Sequence, residues 1–230
     1  MNLLKILLML FVVGTLVSAS STILVLDASG SMDDTVSGTG GQKKIEIAKE
    51  AGNTFLNNVR SGDEVALIVF YDCSDIQTLV TFTTDTQQIR TAMAGVQPDS
   101  STPIARAIDY AANYAVTSGR SGAGLIMLTD GEETCDSQST AVAAAQNATS
   151  YGGIKIINVV GLGIGNTTSA QTNLQAIATA GSGKYYSADD ANQLSSSLTQ
   201  AYNDSSGESC CGPAAMFFVL IPAALFFSRR

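Results

Sequence analysis

The stretch Thr22-Ile23-Leu24-Val25-Leu26-Asp27-Ala28-Ser29-Gly30-Ser31 decides how this chain folds. Its first half is a short apolar, β-branched run, which predicts a buried strand. Gly30 lets the backbone turn sharply just past the end of that strand. One carboxylate, Asp27, and two hydroxyls, Ser29 and Ser31, therefore share a tight turn. Mg²⁺ and Mn²⁺ prefer such oxygen ligands, although an ordinary Asx or serine turn at a strand end uses the same residue types.

Downstream of this stretch, apolar runs alternate with segments of helical periodicity. Near-continuous apolar runs that alternate with helices are typical of a parallel sheet covered on both faces. The predicted fold class is therefore α/β, a doubly wound, mostly parallel sheet of six strands with helices on both faces. The predicted strands are residues 22–26, 65–70, 78–82, 125–129, 154–160 and 185–186, and the predicted helices are residues 45–59, 86–94, 103–115, 141–148, 170–180 and 188–202.

Two of these helices have specific start signals. Thr102 is predicted to be an N-cap and Pro103 the first helical residue, because a proline at that position loses no backbone hydrogen bond. Ser187 and Asp190 have the spacing of a capping box that would open the last helix. The first of these signals places a threonine hydroxyl at the start of the helix that precedes the fourth strand.

Polar residues from three separate segments converge on one edge of the predicted sheet. Asp130, in Leu128-Thr129-Asp130-Gly131, ends the fourth strand. Ligands of doubly wound sheets bind outside the carboxyl ends of the strands, where the strand order reverses, and in the order 3-2-1-4-5-6 the first and fourth strands are neighbours at that point. Two carboxylates and three hydroxyls would meet there, from Asp27, Asp130, Ser29, Ser31 and Thr102.

These residues, in this order and with these intervening elements, resemble the von Willebrand factor A (vWA) family with a metal-ion-dependent adhesion site. The resemblance covers essentially residues 21–203. It implies that Ser29 and Ser31 bind a divalent cation directly, that Thr102 binds it directly or through water, and that both aspartates act mostly through waters.

The resemblance also implies which ion and which partner to expect. Mg²⁺ is the expected ion, with Mn²⁺ or Ca²⁺ as substitutes. Because hydroxyl ligands leave much of the ion's charge unneutralised, a carboxylate of a protein partner would complete its coordination shell. One segment departs from the family pattern, since Asp99-Ser100-Ser101 stands where many relatives have glycines. This departure affects the expected movement of the Thr102 loop more than it affects metal binding.

Two cysteines, Cys73 and Cys135, lie in the body of the chain. An even pair in an exported chain suggests a disulfide. The cysteines follow the second and fourth strands, which flank the first, so both lie on the metal-bearing edge. Their surrounding segments also resemble paired cysteine segments of some exported prokaryotic vWA proteins, and we expect them to be bonded. Acidic residues on the same edge indicate either a second cation site or, as we prefer, solvated loop charges; they are Asp72, Asp75, Glu132 and Glu133.

The beginning of the chain has the pattern of a secretory signal peptide. Residues 1–19 combine Lys5, an apolar stretch and the small-residue ending Val17-Ser18-Ala19. We expect cleavage after Ala19, and a retained membrane anchor is the alternative. The domain would then occupy residues 20–203.

The end of the chain resembles the sorting tails of prokaryotic surface proteins, in particular the archaeal type. Residues 204–213 are predicted to be a linker that ends in a Cys-Gly-Pro motif, and residues 214–230 an apolar segment with a basic end. In that type of tail the segment is processed and the cysteine carries a lipid. Cys211 would then be the lipid anchor, while a plain tail anchor in the membrane is the alternative.

Composition limits the function classes. Leaving out Lys5, Arg229 and Arg230 takes the net charge from −8 for the whole chain to −11 for the body, which would repel nucleic acid. The chain has no histidine, which excludes Ser-His-Asp and Cys-His catalysis and the usual zinc motifs. Three sequons are possible glycosylation sites if the host glycosylates exported proteins: Asn147, Asn166 and Asn203.

The sequence therefore predicts an exported, surface-anchored binding module and not an enzyme. A structural or regulatory subunit of a cell-envelope assembly is the first alternative. A metal-dependent hydrolase is a second one, for which no general base of the usual kind is available.

Overall fold

A six-stranded sheet with helices on both faces forms the body of the protein. The structure is a computed structural model, and it describes residues 19–36, 40–164 and 168–206. The strands are β1 (Ser21–Asp27), β2 (Glu64–Phe70), β3 (Ile76–Thr83), β4 (Ala123–Thr129), β5 (Ile154–Leu162) and β6 (Tyr185–Ala188). The helices are α1 (Lys44–Phe55), α2 (Thr86–Ala94), α3 (Ile104–Thr117), α4 (Gln138–Ser150), α5 (Ser169–Ala180) and α6 (Ala191–Ser206), and a single 3₁₀ turn covers Gly30–Asp33.

The strands lie in the order β3-β2-β1-β4-β5-β6. All neighbours are parallel except β3, which runs antiparallel to β2 at one edge. In the centre, Leu26 of β1 pairs with Val69 of β2 and Leu128 of β4, so these three strands end at the same level. The predicted α/β fold class and strand order are confirmed.

The side chains of β1 alternate between two apolar layers, as the period of a strand requires. Ile23 and Val25 pack with α3, α4 and α5 on one face. Leu24 and Leu26 pack with α1, α2 and α6 on the other. Glycine permits a close helix contact: a Cβ atom built on Gly124 of β4 would lie 2.5 Å from the Cβ atom of Ser205 on α6. Both faces are therefore covered, and only the two ends of the strands are left for a polar site.

The predicted start of α3 is wrong by one residue. Pro103 occupies the N-cap, with φ −90° and ψ 62°, and the helix begins at Ile104. Thr102 is held instead by the loop that follows β4, since its backbone N–H donates to the Thr134 hydroxyl (2.8 Å) and its carbonyl accepts from the Thr134 N–H (3.0 Å). The carboxylate of Glu133 takes the capping role, because its Oε2 accepts from the Ala105 N–H at 2.6 Å.

The predicted capping box at the start of α6 is also wrong. Ser187 remains within β6. Asp190 caps the helix instead, because its Oδ1 accepts hydrogen bonds from the backbone N–H groups of Asn192 and Gln193, each at 2.9 Å.

Ala19 and Ser206, the two ends of the described body, lie at the same edge of the sheet. Both line a depression at the amino ends of the strands, together with Ala123 at the start of β4. This edge is opposite to the one where Asp27 ends β1.

Several predicted features lie outside the described residues. They are residues 1–18 of the signal peptide, Asn166, Cys211 and the apolar segment 214–230. Of the other two sequons, Asn147 is exposed on α4 and Asn203 is half-buried on α6. Among the helices that are described, none has the length and apolar character needed to cross a membrane.

Candidate metal centre

Asp27 organises the turn that follows β1. Its side chain is fully buried. One carboxylate oxygen, Oδ1, accepts a hydrogen bond from the Ser29 N–H at 2.7 Å, which is the local contact that shapes an Asx turn. The other, Oδ2, accepts from the Thr129 hydroxyl at 2.5 Å. Asp27 therefore fixes the turn and also joins the ends of β1 and β4.

Burial and a neighbouring charge disfavour the ionised form of Asp27. Removal from water, and in second place the negative charge of Asp130, raise its pKa to about 6, although the hydrogen bonds from Ser29 and Thr129 act in the opposite direction. Two carboxylates thus lie close together in a buried place. Such an arrangement gains free energy from any cation that neutralises it.

The hydroxyls of Ser29 and Ser31 face one another at the end of β1. Their Oγ atoms are 3.3 Å apart, and the Ser31 hydroxyl donates to Asp130 Oδ1 at 2.7 Å. The turn packs tightly on the loop that leads to α3, since a Cβ atom built on Gly30 would lie 2.8 Å from the carbonyl oxygen of Asp99. Gly30 is therefore needed for this close approach as well as for the turn.

Thr102 brings a third hydroxyl to the same place. The residue is 4% exposed. A Cβ atom built on Gly131 would lie 4.0 Å from both the Ser31 Oγ and the Thr102 Oγ1 atoms. The two hydroxyls therefore flank one small space, and the lack of a side chain at Gly131 keeps that space open.

Asp130 has a second partner that the sequence did not indicate. Its Oδ2 accepts a hydrogen bond from Lys44 Nζ at 2.7 Å. The Asp130 side chain is completely buried and that of Lys44 is 15% exposed. Lys44 is the first residue of α1, where a cation is disfavoured by the helix dipole. That unfavourable position was the one available sign that this lysine has a specific partner.

The predicted disulfide is present. Cys73 and Cys135 are bonded, with their Cα atoms 5.5 Å apart. Arg106 on α3 supports the same junction, because it donates to the Cys73 carbonyl (2.7 Å) and pairs with Asp136 (2.7 Å). The loops after β2 and β4 are therefore joined beside the candidate metal centre.

The acidic residues around this edge make separate contacts within the loops. Glu132 accepts from the Ser169 hydroxyl at 2.6 Å, and Asp72 accepts from the Ser74 N–H at 2.6 Å. Glu133 caps α3 and also accepts from the N–H groups of its own loop. Within the described ranges, no three His, Cys, Asp or Glu side chains converge to hold a metal ion. These contacts favour loop charges over a second cation site.

The donor set at the ends of β1 and β4 fits a hard divalent cation. Three neutral hydroxyls and two buried carboxylates face one place, and oxygen ligands of this kind suit Mg²⁺, Mn²⁺ or Ca²⁺. All of the residues predicted for the site lie together there. Two residues that bond to its carboxylates, Thr129 and Lys44, were not predicted from the sequence. Thr129 had a signal, because it directly precedes Asp130 at the end of a strand.

Comparison with known proteins supports the assignment of the fold. Residues 22–133 match the family model of the von Willebrand factor type A domain. The "Uncharacterized protein YwmD" of Bacillus subtilis (strain 168) is 27% identical over 191 residues, which are 76% of this chain and 82% of YwmD.

Two solved structures show the same architecture. The structure of the conserved hypothetical protein BatB from Bacteroides thetaiotaomicron is 24% identical with a TM-score of 0.66, covering 81% of this chain and 98% of the chain in that structure. The vWF domain of the type V pili tip protein Mfa5 from Porphyromonas gingivalis is 15% identical with a TM-score of 0.65, covering 83% of this chain and 97% of that domain.

Proposed function

Because residues 22–133 match the family model of the von Willebrand factor type A domain, we propose that this chain is a metal-dependent adhesion module, anchored at the cell surface, and not an enzyme. The domain would hold Mg²⁺, or Mn²⁺ or Ca²⁺, and recognise a carboxylate of a protein partner. One observation carries this proposal: five oxygen-bearing side chains from three segments converge at the carboxyl ends of β1 and β4. The ligand set would be Asp27, Ser29, Ser31, Thr102 and Asp130.

Each residue of this set has a definable task. The Ser29, Ser31 and Thr102 hydroxyls present neutral oxygens to the space beside Gly131. Asp27 and Asp130 hold the serines through hydrogen bonds of 2.7 Å and supply the negative charge that attracts a cation. A bound divalent cation would supply an electrophilic centre for a carboxylate oxygen.

This arrangement explains how an acidic domain would bind an acidic ligand. The body carries a net charge of −11 once Lys5, Arg229 and Arg230 are left out. Solvent and salt screen that diffuse charge over roughly 8–10 Å, whereas a cation at the sheet edge would act at contact distance. Binding would therefore depend strictly on the divalent ion.

Export and surface attachment are part of the proposal. The signal-peptide pattern of residues 1–19 and the Cys-Gly-Pro tail with Cys211 support them. One structure with the same fold is a domain of a pili tip protein, Mfa5, which is consistent with an exported protein.

Isothermal titration with Mg²⁺ and Mn²⁺ tests the metal site. We expect saturable binding to the wild type and none to Asp27→Ala. Asp109→Ala, on the exposed side of α3, removes the same charge away from the centre and is the matched control. Equal binding to the wild type and to Asp27→Ala would refute the proposed site. Two assays test adhesion against catalysis. We expect a pull-down from surface extract to depend on the divalent cation, and we expect no turnover of generic ester and phosphoester substrates.

A structural or regulatory subunit of a cell-envelope assembly is a second candidate, and one observation favours it. The loop before Thr102 is fixed by backbone hydrogen bonds, from Asp99 N–H to the Ala28 carbonyl (2.8 Å) and from Ser100 N–H to the Tyr71 carbonyl (2.9 Å). A loop held in this way suits a permanent contact better than a switch between open and closed states. Co-purification with a sister chain in the absence of added ligand would support this candidate.

A further inference from the structure

Lys44 places a fixed positive charge inside the candidate metal centre. Its Nζ atom lies 2.7 Å from Asp130 Oδ2, and both side chains are largely or fully buried. The lysine stem runs beside the turn after β5, since a Cβ atom built on Gly163 would lie 3.6 Å from Lys44 Cε. The neighbouring Lys43 lies at the surface instead. It pairs there with Asp33, and the two side chains are 45% and 57% exposed.

The charge balance of the centre depends on this lysine. Two buried carboxylates, Asp27 and Asp130, and one ammonium group leave the centre with one net negative charge. A divalent cation would change that to one net positive charge, and a carboxylate ligand would then neutralise it. Without Lys44 the cation would be neutralised by the two aspartates alone, and the ligand would bring an excess negative charge.

We propose that Lys44 is the internal counter-ion of the centre and sets its affinities for cation and ligand. It stabilises Asp130 in the metal-free protein, weakens cation binding by repulsion, and keeps the loaded centre positive so that a carboxylate is attracted. This inference rests on the proposed function. A lysine with only a structural role would stabilise the metal-free and metal-bound forms equally, so the two interpretations predict different measurements.

The test compares Lys44→Met and Lys44→Gln with the control Lys43→Met, which removes the same charge at the surface. Mg²⁺ affinity is measured by titration, and thermal midpoints are measured in EDTA and in saturating Mg²⁺. We expect both Lys44 variants to bind Mg²⁺ roughly tenfold more tightly than the wild type, since a like charge has been removed from a buried site. Their midpoints should fall in EDTA, and Mg²⁺ should raise them by more than it raises that of the wild type.

Acetate at saturating Mg²⁺ provides a second readout, and it should bind the Lys44 variants more weakly than the wild type. Lys43→Met should match the wild type in every measurement. Lys44→Gln keeps a hydrogen-bond donor for Asp130, so it remains informative if Lys44→Met does not fold. Unchanged or weaker Mg²⁺ binding by a folded Lys44 variant would overturn the inference. Failure of the wild type itself to bind Mg²⁺ in a manner sensitive to Asp27→Ala would instead overturn the proposed function.

Discussion

Replacing both disulfide cysteines, Cys73→Ser with Cys135→Ser, should lower the free energy of unfolding by about 4 kcal/mol. The bond joins residues 62 positions apart. In the chain-entropy model, opening a loop of that length frees the unfolded chain by about 14 cal/mol/K, which is roughly 4 kcal/mol at 25 °C. This is a large part of the 5–15 kcal/mol that stabilises a typical domain.

The native state should lose little in the same variant. Arg106 continues to hold the two loops, through the Cys73 carbonyl at 2.7 Å and the Asp136 carboxylate at 2.7 Å. Both cysteines are only partly buried, so serine hydroxyls at these positions reach water. The predicted loss therefore arises in the unfolded chain and not from broken native contacts.

Urea unfolding followed by circular dichroism measures this effect, since the chain has no tryptophan for fluorescence. The variant should unfold at lower urea with a steeper dependence on denaturant, because its unfolded chain exposes more surface. Wild-type protein in reducing agent should behave like the variant, and the variant should not respond to reducing agent. A loss below about 1 kcal/mol with an unchanged slope would refute the loop-entropy argument.

Three further predictions concern the stability of the fold away from the candidate metal centre. Gly183→Ala should destabilise the domain by about 1–3 kcal/mol or more, because the new Cβ atom would lie 2.0 Å from a β5 carbonyl oxygen. The control Gly95→Ala, whose Cβ atom has its nearest contact at 3.5 Å, should change the thermal midpoint little, and equal midpoints for the two variants would contradict the prediction. Tyr202→Phe should lower the free energy of unfolding in urea by about 1–3 kcal/mol, because the buried Tyr202 hydroxyl donates a hydrogen bond to Asp63, just before β2. An unchanged urea midpoint would show that this bond contributes nothing to stability. Hydrogen bonding from Arg120 lowers the pKa of Glu64, so Glu64→Gln should be less stable than the wild type at pH 7. This difference should vanish as the pH falls through the lowered pKa and the wild-type carboxylate is protonated, and a constant difference in thermal midpoint from pH 7 to pH 3 would refute the prediction.

Local patterns were sufficient to predict the fold and the main site residues. Thr22 to Leu26 is a short apolar, β-branched run, and such runs are typical of central strands in a parallel sheet covered on both faces. Asp27 and Asp130 each follow a predicted strand directly, so the topology alone placed their side chains at one edge.

The errors and omissions arose from contacts between distant segments. Thr102 has the residue type of an N-cap, but its backbone groups bond to Thr134, 32 positions away. Lys44 stands at the start of a helix, where a cation is disfavoured, but its partner Asp130 is 86 positions away. Neither contact has a local pattern, because each depends on how loops from different strands meet after folding.

The position of Ala19 and Ser206 at the amino ends of the strands has a mechanical consequence. If the body is tethered through its carboxyl end, beyond Ser206, a ligand held at the carboxyl ends of β1 and β4 would pull along the length of the sheet. Tension would then load β1 and its parallel neighbours in shear, so that the backbone hydrogen bonds on both sides of β1 resist together and do not open one by one.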